Sequence, residues 1–169
     1  MTGNAPAAVV KASDIMSRQV ITAAPESPVA AVAKLMLDHG IGAVPVLDDK
    51  ANIVGIVSDY DLLARPPSDS PRAWWLRLFD DEAVCLEEIA KVRHLKAGDL
   101  MVRHVVTLSD QAPLGVIASL MRRRKLRHVP IVRDGKLVGI VSRGDLLDAL
   151  AQQVGDPPHP EENRRMAGA

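Results

Sequence analysis

Aromatic side chains are nearly missing from this chain. Tyr60, Trp74, Trp75 and Phe79 are the four among its 169 residues, so a core has to be assembled from Val, Ile, Leu, Met and Ala. The single cysteine, Cys85, excludes an internal disulfide and fits a reducing compartment. Net charge is absent too: 21 Lys and Arg face 21 Asp and Glu, which makes no case for nucleic acid or an acidic surface as partner. No apolar stretch approaches the roughly 20 residues that span a bilayer. The N-terminus has neither the basic nor the apolar region of a signal peptide. These absences lead to the expectation of a soluble, cytoplasmic protein with no membrane partner. Enzymatic signatures are missing as well. His39, His94, His104, His128 and His159 are scattered without metal-ligand spacing. No Gly-rich phosphate loop, nucleophile elbow or Cys/His pair is found. The expectation is therefore no catalytic residue, no metal, no catalytic cofactor and no enzyme.

What is present is a pattern stated twice. Leu137-Val-Gly-Ile-Val-Ser-Arg-Gly-Asp-Leu-Leu147 reads as a buried strand running into a helix start, with Ser142 and Asp145 placed as a capping box. Ile53-Val-Gly-Ile-Val-Ser-Asp-Tyr-Asp-Leu-Leu63 repeats it with Ser58 and Asp61. The echo extends further. Asp14-Ile15-Met16 returns as Asp99-Leu100-Met101, and Val44-Pro45-Val46 as Val129-Pro130-Ile131, both at an offset of 85; after one turn the offset becomes 84. A constant offset with one indel in a turn is the mark of a duplicated unit.

Each unit reads as strand, helix, strand, strand, helix. Val20-Ile21-Thr22 and Val105-Val106-Thr107 read as short strands, and Ser27-Pro28 as an N-cap with proline at the first helical position. Val29, Val32, Leu35 and Met36 share one helical face, matched by Leu114, Ile117, Leu120 and Met121. Gly40 is placed to end the first helix, and Asp134-Gly135 to turn the second hairpin. A unit of this size alone buries too little surface to be comfortably stable, whereas two packed together bury enough.

These residues resemble the cystathionine-β-synthase (CBS) domain, here as a tandem pair or Bateman module. The resemblance rests on Asp14-Ile15-Met16, the Gly40–Val46 run, and Gly55-Ile56-Val57-Ser58-x-x-Asp61, each echoed in the second half. It covers roughly 11–65 and 95–151. The units are bounded at 11–65 and 99–151, with a loop and helical insert at 66–98 and a disordered tail at 152–169. The resemblance implies an α/β (α+β) fold of two β-α-β-β-α repeats about a pseudo-twofold axis, with two clefts between them. It implies an adenine nucleotide (AMP, ADP or ATP) as ligand, and a homodimer.

In that frame Asp61 and Asp145 read ribose, because one carboxylate can accept a hydrogen bond from each of two adjacent hydroxyls. Ser58 and Ser142 steady the same loop or touch sugar and phosphate. By resemblance the base in the Asp145 cleft lies against Met16, Val20, Ile21, Ile41, Gly42 and Ala43. The Asp61 cleft uses Met101, Val105, Val106, Leu126, Arg127 and His128. Phosphate partners are expected at Arg127 and His128, serving a nucleotide in the Asp145 cleft. The uncharged Gly42-Ala43 would leave the Asp61 cleft without such partners from its own repeat.

Two readings of function stand side by side. One is a stand-alone regulatory module that senses adenosine nucleotides and signals to an unidentified regulated protein. The other is a ligand-independent dimerisation module in which the Ser-x-x-Asp boxes are only helix caps. Nucleic-acid binding through Arg122 to Arg127 is a weaker third. The basic run there also reads as a solvated helix face. Trp74 and Trp75 in the insert read as packing residues, or as a lid stacking on a base.

Overall fold

The computed structural model describes residues 9–64 and 94–154. The readings of Trp74, Trp75 and most of the insert fall outside the described residues, as do those of residues 1–8 and of the tail beyond Val154. The architecture is mixed α+β. In the first half, α1 (Ala12–Ile15) leads to α2 (Val29–His39), the strands β1 (Ala43–Leu47) and β2 (Ile53–Ser58), and α3 (Asp59–Ala64). In the second half, α4 (Ala97–Leu100) is followed by β3 (Leu108–Ser109), α5 (Leu114–Arg124), β4 (His128–Arg133), β5 (Lys136–Ser142) and α6 (Arg143–Val154).

The hairpins form where their apolar runs predict. β1 pairs antiparallel with β2, from Ala43 opposite Ser58 to Leu47 opposite Ile53. β4 pairs antiparallel with β5, from His128 opposite Ser142 to Arg133 opposite Lys136. Asp134 and Gly135 make the second turn with φ of 50° and 75°, both left-handed as a two-residue hairpin requires. The first turn is one residue longer. There the Asp48 carboxylate accepts the N–H groups of Lys50 at 2.9 Å and Asn52 at 2.8 Å, and Ala51 takes φ 58°. Helices α2 and α5 bury Val29, Val32 and Met36, and Ile117 and Met121, against these strands. Gly40 ends α2 at φ 62°, while the equivalent Lys125 ends α5 at φ 55° with a side chain attached.

Two local expectations are corrected. Ser27 does not cap α2: Pro28 holds that position, and the Ser27 hydroxyl oxygen accepts the Ala24 N–H at 3.0 Å. Val20-Ile21-Thr22 is not a strand. Pairing on that side is a single parallel bridge between Ala23 and Val46. In the second half the strand lies at Leu108–Ser109, parallel to β4, just beyond Val105-Val106-Thr107. These β-branched residues carry strand propensity, but they serve as lining for the spaces between the halves.

The cores are exchanged between halves. Ala12 and Met16 are buried with Ile117, Met121, Val129, Ile131, Val141 and Leu146 of the second half. Ala97 and Met101, at the leading end of that half, are buried with Val32, Met36, Val44, Val46 and Val57 of the first. Backbone pairing holds each crossing in register. Ser17 and Ile140 exchange N–H···O bonds at 3.0 Å, and Val102 and Ile56 do so at 2.9 and 3.1 Å. The echoed Asp-x-Met motif explains itself here. The Asp14 and Asp99 carboxylates accept the N–H groups of Lys11 at 2.9 Å and Lys96 at 2.8 Å, capping α1 and α4. The methionines then lie flat on glycines of the opposite hairpin. A Cβ on Gly139 would sit 2.3 Å from Met16 Sδ, and one on Gly55 would sit 2.3 Å from Met101 Sδ.

Gly139→Ala therefore overpacks the crossing. It should destabilise the fold by about 1–3 kcal/mol, the usual cost of forcing an extra methyl into a filled core. Ala51→Gly, which relieves a left-handed residue in an exposed turn, should stabilise it by about 1 kcal/mol. Urea denaturation of both variants beside the wild type measures the two shifts, and equal midpoints for all three would contradict the packing argument.

Candidate functional site

Strands β2 and β5 each run out into a helix start, and the serine there closes a box with the aspartate three residues on. The Asp61 Oδ2 accepts the Ser58 N–H at 2.9 Å and the Ser58 hydroxyl at 2.6 Å. The Asp145 Oδ2 accepts the Ser142 N–H at 2.7 Å and its hydroxyl at 2.8 Å. The capping and ligand-reading roles are thus compatible. An ionised carboxylate offers about four lone-pair sites, and the box uses two of them on one oxygen. The other oxygen, Oδ1, has no hydrogen bond among the described residues in either aspartate.

Each aspartate faces a cleft built from both halves. The Asp145 cleft, of about 310 Å³, is lined by Val20, Ile21, Ile41, Gly42, Ala43, Ser142 and Asp145. The Asp61 cleft, of about 530 Å³, is lined by Ser58, Asp61, Val105, Val106, Leu126, Arg127 and His128. Those residues are brought together in the grouping expected for the base and ribose. Met16 and Met101 are not: both are buried, 7% and 6% exposed, beneath the crossings and away from the cleft linings.

Arg127 lines the Asp61 cleft, as expected of that lining, but not the Asp145 cleft, where it was expected as a phosphate partner; of the basic residues only His128 reaches both. The segment at the start of each Pro-bearing strand faces the aspartate of the other half. Gly42-Ala43 thus meets Asp145, whereas Leu126-Arg127 meets Asp61. Sequence reasoning missed further lining: Ser17, Gln19 and Ile140 on one side, and Tyr60, Val102, His104 and Lys125 on the other. Tyr60 carried a readable signal, as the sole aromatic inside either Ser-x-x-Asp box.

His128 forms the wall between the clefts. Its ring lies against the backbone of Gly42, where a Cβ would come within 3.0 Å of Cε1. Burial pushes its pKa below the usual 6.5; Asp59 opposes that push, Arg127 adds to it and Asp145 opposes it. The Arg127 guanidinium reaches Asp59 only at 3.9 Å, with both side chains well exposed, so this pair contributes little.

A family model described as the CBS domain matches residues 12–67 and 97–152. The chain is 32% identical over 136 residues to the CBS domain-containing protein CBSX2, chloroplastic, of Arabidopsis thaliana. That match covers 76% of this chain and 57% of the relative, so the chain spans little more than half of it. The crystal structure of CBSX2 in complex with AMP is similar to it with a TM-score of 0.66 and 30% identity, covering 84% of this chain and 97% of that one. The CBS domain of a CBS domain containing membrane protein from Sphaerobacter thermophilus is similar at TM-score 0.69 and 35% identity, covering 85% and 89%. An L-aspartate semialdehyde sulfurtransferase of Methanocaldococcus jannaschii is 28% identical over 142 residues, a match to 23% of its length. No helix among the described residues is long and apolar enough to cross a membrane.

Because His128 is held neutral more strongly folded than unfolded, its contribution to stability is complete above its unfolded pKa of about 6.5 and is lost as pH falls through the lower folded value. As pH is lowered below about 6.5, the melting temperature of the wild type should therefore fall more steeply than that of His128→Gln, which has no imidazole to protonate. Parallel curves would show that the imidazole is not held neutral.

Proposed function

Because the chain belongs to the CBS domain family, matched at both repeats, we propose that it is a regulatory module sensing adenosine nucleotides in the two clefts, without catalysis of its own. One observation carries this reading. Each cleft ends on an aspartate whose Oδ2 is occupied by the serine box while Oδ1 stays open among the described residues. Two lone pairs on a charged oxygen suit the adjacent 2′- and 3′-hydroxyls of a ribose, and a charged acceptor makes those bonds strong. The AMP-bound form of CBSX2 supports adenosine as the nucleoside. Val20, Ile21, Ile41, Gly42 and Ala43 supply an apolar seat for a base beside Asp145; Val105, Val106 and Leu126 supply one beside Asp61. A ligand in either cleft touches a crossing segment and the opposite half at once, so binding draws the halves together. A regulated partner protein reads that change.

Asp145→Asn tests the ribose role cleanly. The asparagine carbonyl can still accept both Ser142 bonds, and its amide then points a donor where the open acceptor was. The fold should be kept and nucleotide affinity should fall by roughly 1.5–3 kcal/mol, about ten- to a hundredfold. Calorimetry with AMP, ADP and ATP measures it. Equal binding by wild type and variant would remove the ribose role.

A second reading, ligand-independent assembly, is favoured by one specific observation. An open groove of about 570 Å³ between α2 and α3 is lined by Val29, Ala30, Ala33, Met36, Ile41 and Leu62. Leu37 at its rim is 83% exposed. An uncovered apolar face of this kind suits a homodimer seam. Leu37→Glu should shift a homodimer toward monomer in sedimentation velocity. If dimerisation is the whole function, neither protein will bind nucleotide.

A further inference from the structure

Among the described residues, His128 and Ala43 alone line both clefts. The two are equivalent at the offset of 85. Each opens the Pro-bearing strand of its half, opposite Ser142 and Ser58 respectively. The division between the clefts is therefore an imidazole set against a methyl group and a stretch of backbone. The Cε1–Nε2 edge of the ring faces Gly42 so closely that a Cβ there would lie 3.0 Å from Cε1 and 3.3 Å from Nε2. Neither ring nitrogen has a hydrogen bond among the described residues. Such a seat suits a neutral ring. An imidazolium held in it would lose hydration and gain no hydrogen bond in return.

The charged groups around the ring pull in opposite directions. Asp59 faces it from α3 of the first half and Asp145 from α6 of the second, and both favour the cation, whereas Arg127 beside it opposes the cation. On the Asp61 side the ring borders a lining that also holds Asp61, Tyr60, His104 and Lys125. Burial outweighs the carboxylates, which makes the neutral ring the seated form. A ring that takes up a proton regains hydration by turning out of the seat into cleft space, where water and the carboxylates reach it.

We propose that His128 is a pH-operated partition. Neutral, it stays seated on Gly42 and keeps the two clefts apart; protonated, it swings off that seat, and the clefts open into each other across Ala43. The seat joins the Gly42-Ala43 segment of the first half to β4 of the second, so leaving it also releases a contact between the halves. Histidine is the side chain whose charge ordinarily changes between about pH 5 and pH 8, and a two-position ring is a bistable element for that charge to bias. The device goes beyond nucleotide sensing and operates with or without a ligand.

NMR of the full chain without ligand, titrated from about pH 8 to about pH 5, tests the partition. The His128 Cε1 proton should titrate below 6.5, and its NOE to the Gly42 α-protons should be strong above that midpoint and vanish below it. The Gly42 amide resonance should move with the same midpoint, and should not move in His128→Gln. Gly42 has no positive φ, so alanine fits its backbone, while the added Cβ crowds the seat. Gly42→Ala should therefore raise the His128 midpoint toward 6.5, because a displaced ring is hydrated. Amide protection at Val129 and Val141 should survive the titration, as a local movement requires. An NOE that persists once the ring is protonated would overturn the proposal. So would a ring still neutral at the acid end, a midpoint unmoved by Gly42→Ala, or protection lost in step with protonation.

Discussion

Two methionines seated on two glycines hold this molecule in its shape. Met16 belongs by sequence to the first half and lies on Gly139 of the second; Met101 precedes the second half's helix and lies on Gly55 of the first. A strand residue with any side chain at either glycine would push the crossing away, because strand faces pack at van der Waals distance. The crossings therefore fit only where the duplicated Gly and the duplicated Met meet. Neither half has a complete core without the other's leading segment, which is how units this small reach a stable buried core.

The same exchange makes the clefts. Once Met16 is seated, the next residues, Ser17 to Ile21, have to run along the edge of β5, and they become one wall of the space in front of Asp145. Met101 similarly commits Val102 to Val106 to the space in front of Asp61. Ligand contact and core packing are thus consecutive along one short stretch of chain. A ligand that grips the aspartate on one side and this wall on the other acts directly on the joint between halves. The duplicated pattern supplies two such joints, and they differ in charge: Lys125 and Arg127 line one, Gly40 and Gly42 the other.

Much of this was readable from residue order alone. The constant offset, the hairpins with their turn residues, the helix faces and the serine–aspartate boxes all follow from local pattern, and all are found. Features that depend on partners far along the chain were not readable. Asp14-Ile15-Met16 is recognisable as an echo, but its role depends on Ile140 and Gly139 more than a hundred residues away. Val20-Ile21 looked like a strand because β-branched residues favour strands, and lining a cleft leaves the same signature. Arg127 is adjacent to the right strand in sequence, yet adjacency does not say which of two clefts the strand end faces. That depends on how the halves cross.

The measurement that bears most directly on this account is native-state hydrogen exchange on Met16→Ala. If the crossing segment completes the core of the opposite half, truncating Met16 should lower amide protection at Val129, Ile131 and Val141 more than at Val44, Val46 and Val57. A loss of protection concentrated in the first half, to which Met16 belongs by sequence, would contradict the exchange of cores.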